Sequence, residues 1–287
     1  MAEEFEGHRQ RLFGLAYRLL GSGAEAEDAV QDAYLRWYAA DRALIASPEG
    51  WLAKVLTNLC LDRLTSARAR REQYIGPWLP EPVLTDEPAE TAERSESISM
   101  AFLVLLERLT PAERAVLVLR EAFSYGYREI ADVLDLSEAN CRQVHHRALQ
   151  RVSGERRFDA SAESRRLIVE RFLTAATNGD LAGLEQILAA DVVAWADGGG
   201  RVSAALRPVS GAVKVGRYVT GIAEKYREVD VRLLYAEVNG EAALIASIED
   251  RLLAVFVIET DGERIHGLRS VLNPEKLDYL AGQLARR

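Results

Sequence analysis

Ahead of Ser161 the apolar residues of this chain repeat with the period of an α-helix, and further on the pattern passes to alternating runs bounded by turn residues. A helix buries a stripe and a strand buries every second residue, so a chain that changes period partway folds as more than one domain. The 287 residues are enough for a core in each. In the first stretch Leu12, Leu15, Ala16, Leu19 and Leu20 share a face, and Gly21-Ser22-Gly23 stops the helix. AEAEDAVQDAYLRWY then sets Ala26, Val30, Ala33 and Trp37 on one side and Asp28, Asp32 and Arg36 on another. After SPEG, with Ser47 able to cap and Pro48 at the first helical position, a third helix runs from Trp51 into a cluster of arginines.

A second helical unit spans about 98–152, and Thr110 and Pro111 open one of its helices as cap and first residue. YREIADVLDLSEANCRQVHHRALQ reads as helix, short turn, helix: Ile130, Ala131, Val133 and Leu134 are the buried side of the first, and Ser137 caps the second. On that second helix Cys141, Val144 and Ala148 fall inward, and Arg142, Gln143, His146 and Arg147 fall outward. Arg and Gln there suit base edges and phosphates, because both make bidentate hydrogen bonds; a solvated helix face is the alternative. Asp135 stands at the turn where glycine is usual, which leaves the turn geometry open.

Between the units, residues 76–97 are rich in Pro, Glu, Asp, Thr and Ser and read as a linker. Its opening, GPWLPEPV, is a stiff proline-bracketed segment whose Trp78 and Leu79 are costly to leave in water, so it is expected to dock. From about Ser161 two short helices are expected to run to Asp191, followed by VVAWADGGG and a helix in GAVKVGRYVTGIAEKY. VDVRLLYAEV, AALIASIED, LLAVFVIET and RIHGLRSVL then read as four strands with NG and DG turns between them, an α+β domain with helices on a curved antiparallel sheet.

The formal net charge of -8 argues against nonspecific nucleic-acid binding by the whole surface, but it conceals an alternation. Between Trp51 and Arg71 the charges are Lys54, Arg63, Arg68, Arg70 and Arg71 against Asp62, whereas 81–107 carries Glu81, Asp86, Glu87, Glu90, Glu93, Glu96 and Glu107 against Arg94. Cys60 and Cys141 sit in helical patterns and read as small buried hydrophobes; neither a metal cluster nor a disulfide framework is expected, and no cofactor. No apolar run nears the ~20 residues that cross a bilayer, and the first 20 residues lack a secretion signal, so a cytoplasmic protein is expected.

With these pieces in order, the chain resembles an extracytoplasmic-function sigma factor of the sigma-70 family, in the group that carries a SnoaL-like domain after the sigma core. AEDAVQDAYLRW with WLAKVLTNLCLDRL is similar to the region 2 pattern, and LTPAERAVLVLRE with the helix-turn-helix is similar to region 4. WLPEP at 78–82, DGGGR at 197–201 and NPEKL at 273–277 look like the marker motifs of the fused group. The resemblance implies region 2 over 1–75, a linker over 76–97, region 4 over 98–157 and a SnoaL-like α+β cone over 161–287. It implies as partners core RNA polymerase and promoter DNA; no membrane partner and no catalytic activity are expected. Asp28, Gln31 and Asp32 would dock on a coiled coil of the polymerase. Lys54, Asn58, Arg63, Arg68, Arg70 and Arg71 would read and melt the -10 element, where phosphate neutralisation and polar pockets are needed. Asn58 as a buried structural amide is the alternative. Arg142, Gln143, His146 and Arg147 would face the -35 major groove, with His145 on the packing flank.

The resemblance also implies control in cis by the SnoaL-like domain, and the two odd segments, GPWLPEPV and DGGGR, point to Trp78, Leu79, Pro80, Asp197, Gly198, Gly199, Gly200 and Arg201 as the residues that carry it. Three glycines allow close approach of another chain, and Asp197 and Arg201 could pair across the turn or with a partner surface. Trp78 is expected to find its apolar berth on the C-terminal domain and the DGGGR tip its polar berth on region 2, tying the modules into one compact arrangement. A SnoaL-like pocket lined by Trp195, Tyr218 and Tyr235 that takes a small ligand, or a cryptic enzyme using Asp191, Asp197, Glu249 and His266, is the alternative.

Overall fold

The structure is a computed structural model that describes residues 2–85, 98–152, 158 and 160–286; the side chains of residues 2, 42, 67–70 and 72 lie outside that description. The chain divides into two compact units, 1–73 with 91–155, and 74–90 with 156–287. The opening of the linker therefore belongs with the C-terminal domain.

In the first unit, α1 (Ala2–Leu20), α2 (Gly23–Ala39) and α3 (Pro48–Glu72) pack on one another. Gly21, with φ of 69°, ends α1, and the Ser22 hydroxyl accepts from Glu25 N–H at 3.0 Å to open α2. The inward faces read from the sequence are the ones buried: Leu19, Leu20, Ala26, Ala33, Trp37, Leu52 and Leu56 are each at most 1% exposed. After α4 (Met100–Leu106), α5 (Pro111–Glu121) begins in a capping box in which Thr110 and Glu113 satisfy each other's backbone N–H groups. α6 (Tyr127–Leu134) and α7 (Glu138–Val152) complete the helix-turn-helix. α5 packs against α1 and α3, and α6 against α3, so the two helical modules share one core.

The second unit holds α8 (Ala162–Thr177), α9 (Leu181–Ile187), β1 (Leu188–Asp197), β2 (Val209–Ser210), α10 (Ala212–Lys225), β3 (Arg232–Val238), β4 (Glu241–Ile248), β5 (Arg251–Thr260), β6 (Ile265–Val271) and α11 (Pro274–Ala285). The sheet order is β2-β1-β6-β5-β4-β3, antiparallel except for the parallel pair β1–β6. Ile168, Phe172, Leu184, Ile187 and Val215 from α8, α9 and α10 share a core with Leu244, Ile258 and Leu268 of the sheet. The α+β cone is as expected from the sequence, with two corrections: the sheet is mixed, because β1 runs parallel to β6, and helix ends at Ile187, with Leu188–Asp191 already strand. Parallel pairing of β1 with β6 brings Asp197 beside Val271. The end of β1 is thereby placed next to the start of α11.

Candidate functional site

Asp135 resolves the turn left open by the sequence: with φ 53° and ψ 44° it closes α6 in the left-handed region, which aspartate tolerates better than most residues. Ser137 Oγ then accepts from Asn140 N–H at 3.2 Å, as a cap should. Cys141, Val144, His145 and Ala148 are buried, whereas Arg142, Gln143, His146 and Arg147 are exposed and together line one open concavity. Behind this face stands Glu113, with a side chain only 5% exposed, which pairs with Arg151 and lies 3.7 Å from Arg147 Nε. Burial alone would raise the Glu113 pKa, but the Thr110 N–H and hydroxyl and the charges of Arg151 and Arg147 outweigh it and hold the carboxyl below the ordinary range.

The sequence groups the basic residues of α3 as one DNA surface; the structure gives the described ones different partners. Lys54 Nζ donates to Asp135 Oδ1 at 2.6 Å and to the Asp132 carbonyl at 2.8 Å. Arg63 donates to Asp32 at 2.7 Å and to the Glu25 carbonyl at 3.0 Å, so a residue assigned to DNA and one assigned to the polymerase pair with each other. Arg71 pairs with Glu107 and donates to the Leu20 carbonyl at 2.7 Å. Beside it the buried Arg114 reaches Glu107 at 2.7 Å and the Leu19 carbonyl at 2.8 Å. Asn58 is half-buried. The side chains of Arg68 and Arg70 lie outside the described residues.

On α2 Asp28 and Gln31 are exposed and Asp32 is half-buried. Leu35 and Tyr38 continue the stripe at helical spacing and stand 56% and 64% exposed. Sequence reasoning passed over these two because it followed the carboxylates; the signal was their offset of three and four residues along the same face.

In the second unit the marker motifs converge on one carboxylate. Asp197 is 0% exposed, and its side chain accepts from Tyr74 Oη at 2.5 Å, Leu79 N–H at 2.8 Å and Lys276 Nζ at 2.7 Å. Its carbonyl accepts from Leu272 and Asn273 N–H at 2.8 and 2.9 Å, fixing the start of α11. Lys276 also donates to the Leu79 carbonyl, and its ammonium lies 4.2 Å from the Trp78 ring centroid and 4.7 Å from that of Tyr74. Burial first, and the hydrogen bond to Asp197 second, push the Tyr74 phenol above its ordinary pKa. Asn273 caps α11 and donates to Tyr74 Oη at 2.9 Å.

The glycines are required by this approach. Gly199 and Gly200 have φ of 56° and 70°, and a Cβ on them would meet Tyr74 Oη at 2.8 Å and Ile75 Cδ1 at 2.9 Å. Leu79, Pro80, Pro82 and Val83 are buried, and the linker then joins the sheet edge: Leu84 bridges to Val238, Asn239 N–H donates to the Val83 carbonyl at 2.9 Å, and Thr85 N–H to that of Glu237 at 3.1 Å.

Two expectations change. The polar berth of the DGGGR tip is the stretch from Tyr74 to Leu79 together with Lys276; Tyr74 and Ile75 close the segment 1–75 expected to supply it, but they belong with the second unit. Arg201 does not pair with Asp197 but with Glu275 at 2.6 Å, both well exposed. The acid/base set is also dispersed. Asp197 is committed to Lys276, His266 bonds Asp261 at 2.8 Å and stacks on Phe158, and Glu249 sits at the β4–β5 turn. Trp195 stacks under Arg269 and alternates with Ala194, which faces the helices, so it points away from Tyr218.

Residues 5–70 match the family model for sigma-70 region 2, and residues 99–152 match that for sigma-70 region 4. The ECF RNA polymerase sigma factor SigJ of Mycobacterium tuberculosis is 40% identical over 229 residues, covering 78% of this chain and 73% of SigJ. The probable ECF RNA polymerase sigma factor SigI of the same species is 33% identical over 286 residues, covering 98% of this chain and 96% of SigI. The crystal structure of SigJ superposes with a TM-score of 0.78 at 33% identity over 97% of this chain and 99% of that one.

Proposed function

The chain belongs to the extracytoplasmic-function sigma factors, which direct promoter-specific transcription initiation, and on that premise we propose that its C-terminal domain controls the sigma core in cis by holding the linker. The observation that carries this is Asp197, a fully buried carboxylate whose side-chain partners are Tyr74, Leu79 and Lys276. Tyr74 lies just ahead of the linker and Leu79 within it, both in the stretch 74–90 that belongs with the C-terminal domain. The linker joins the module that meets the -10 element to the module that meets the -35 element, and the distance between those elements is fixed by the promoter. Whatever restrains 74–85 restrains how far the two modules can part, and a restraint that favours one state sets the population of the other.

Within this reading Asp28, Gln31 and Asp32, with Leu35 and Tyr38, meet core polymerase, where a carboxylate and apolar stripe suits a basic helical partner. Lys54, Asn58, Arg63, Arg68, Arg70 and Arg71 serve the -10 element, and Arg142, Gln143, His146 and Arg147 serve the -35 element. The work is done beside DNA in the cytoplasm. No helix among the described residues is long and apolar enough to cross a membrane.

Asp197→Ala leaves the Lys276 ammonium without its carboxylate and the Leu79 N–H without its acceptor, so the linker should release. Proteolysis between Tyr74 and Thr85 is expected to speed up, and promoter-specific run-off transcription with core polymerase to change. Faster cleavage with unaltered transcription would refute control through this contact.

A further inference from the structure

We infer that Tyr127 is a positioning residue that sets base preference at the -35 element by holding the Arg142 guanidinium, an inference that rests on Arg142 being a base contact. Tyr127 is the first residue of α6, outside the recognition helix, and its ring lies 5.0 Å from the Arg142 guanidinium carbon and 4.9 Å from that of Arg120. Both are inside the range of cation–π attraction. The ring is itself fixed. Tyr127 Oη lies 2.9 Å from His145 Nδ1, and His145 Nε2 lies 2.9 Å from Glu121 Oε1. A neutral imidazole protonated at Nε2 satisfies the whole chain, with the phenol donating to Nδ1 and Nε2–H donating to the carboxylate. His145 is buried, and its ring meets that of Tyr127 edge-on at 5.8 Å. Gly126 N–H donates to the Glu129 carboxylate at 2.6 Å, which pins the backbone from which Tyr127 leaves.

What this does for recognition follows from the shape of a guanidinium. A guanidinium that gives its face to an aromatic ring keeps its N–H edges for other partners, and it is the edges that read guanine O6 and N7. Glu138, one turn back on α7, also holds Arg142, but through an edge. A base that takes that edge displaces Glu138 and leaves the contact with Tyr127 in place. Tyr127 is thus the partner that can order Arg142 in the complex as well as in the free protein.

The test uses the full chain with core polymerase and a promoter pool randomised across the -35 element, comparing wild type, Arg142→Ala, Tyr127→Leu, Tyr127→Phe and Glu138→Gln by run-off yield per base. Arg142→Ala is expected to flatten preference at one position. Tyr127→Leu should weaken preference at that same position about two- to fivefold, while Glu138→Gln keeps it and Tyr127→Phe, which loses the bond to His145 but keeps the ring packed edge-on against it, weakens it less than Tyr127→Leu. If Arg142→Ala flattens nothing, Arg142 is no base contact, and the inference falls with that reading. Flattening by Arg142→Ala beside an unchanged Tyr127→Leu overturns the inference alone, as does a uniform loss over all bases with a lowered melting temperature. Should Tyr127→Leu fail to fold, Glu138→Gln decides: loss of preference there makes Glu138, and not Tyr127, the group that orders Arg142.

Discussion

Glu113 shows how one side chain can serve stability behind a binding face. It caps α5 through Thr110 and receives Arg151, so its charge is satisfied inside the domain. Because its folded pKa is depressed, its contribution is complete above the ordinary glutamate value of about 4.3 and is lost as pH falls through the lower, folded value. Glu113→Gln should lower stability by roughly 1–3 kcal/mol at neutral pH. The cost should shrink as both proteins are acidified below pH 4, and thermal melts of the two from pH 3 to 7 check the size and the sign. A constant difference across that range would mean that Glu113 acts by shape, not charge.

At the scale of the element, the recognition helix divides into residues that face out and residues that tie it down. Arg142→Ala and Gln143→Ala should each cost about 1–3 kcal/mol per lost base contact. Arg151 lies on the same basic helix but pairs with Glu113, so Arg151→Ala should lower the melting temperature and leave base preference alone. Run-off yields on matched and scrambled -35 sequences, read beside melts, separate the two classes. The helices were legible because their caps and inward faces are local: Ser47, Thr110 and Ser137 each precede a helix, and Trp37, Leu56 and Val144 are buried where their spacing puts them. β3 to β6 were legible for the same reason, with Asn239-Gly240 at a tight turn, φ 56° and 69°. β1 was not, since its inward residues include Ala194 and Ala196, which carry little strand signal, and its parallel partner β6 is remote in sequence. The Asp197 site was half legible. Its motifs stood out as odd, but which of them met which depended on that remote pairing and on α11, whose role the sequence showed only as NPEKL.

For the whole molecule the question is why a DNA-binding chain carries net charge -8 and where its cations are spent. Lys54 on α3 gives its ammonium to Asp135, the left-handed residue at the helix-turn-helix, and Arg71 gives its guanidinium to Glu107. In each case a carboxylate of the second helical module occupies a group proposed above to meet DNA. Free protein should therefore bind promoter DNA weakly, and binding should appear mainly with core polymerase, falling steeply with salt. The Lys54–Asp135 pair is exposed on both sides, 40% and 76%, and such pairs contribute little stability, so it can be removed without unfolding the chain. Asp135→Asn keeps a residue type that accepts the left-handed turn and cancels the charge. We expect the melting temperature of Asp135→Asn to stay within a degree or two of wild type. Its affinity for single-stranded -10 DNA should rise, and the slope of log affinity against log salt should steepen by about 0.7, the value for one more phosphate contact on a single strand. Fluorescence anisotropy from 50 to 200 mM salt measures both. An unchanged slope would take Lys54 off the DNA surface and leave its pair with Asp135 as a joint between helices.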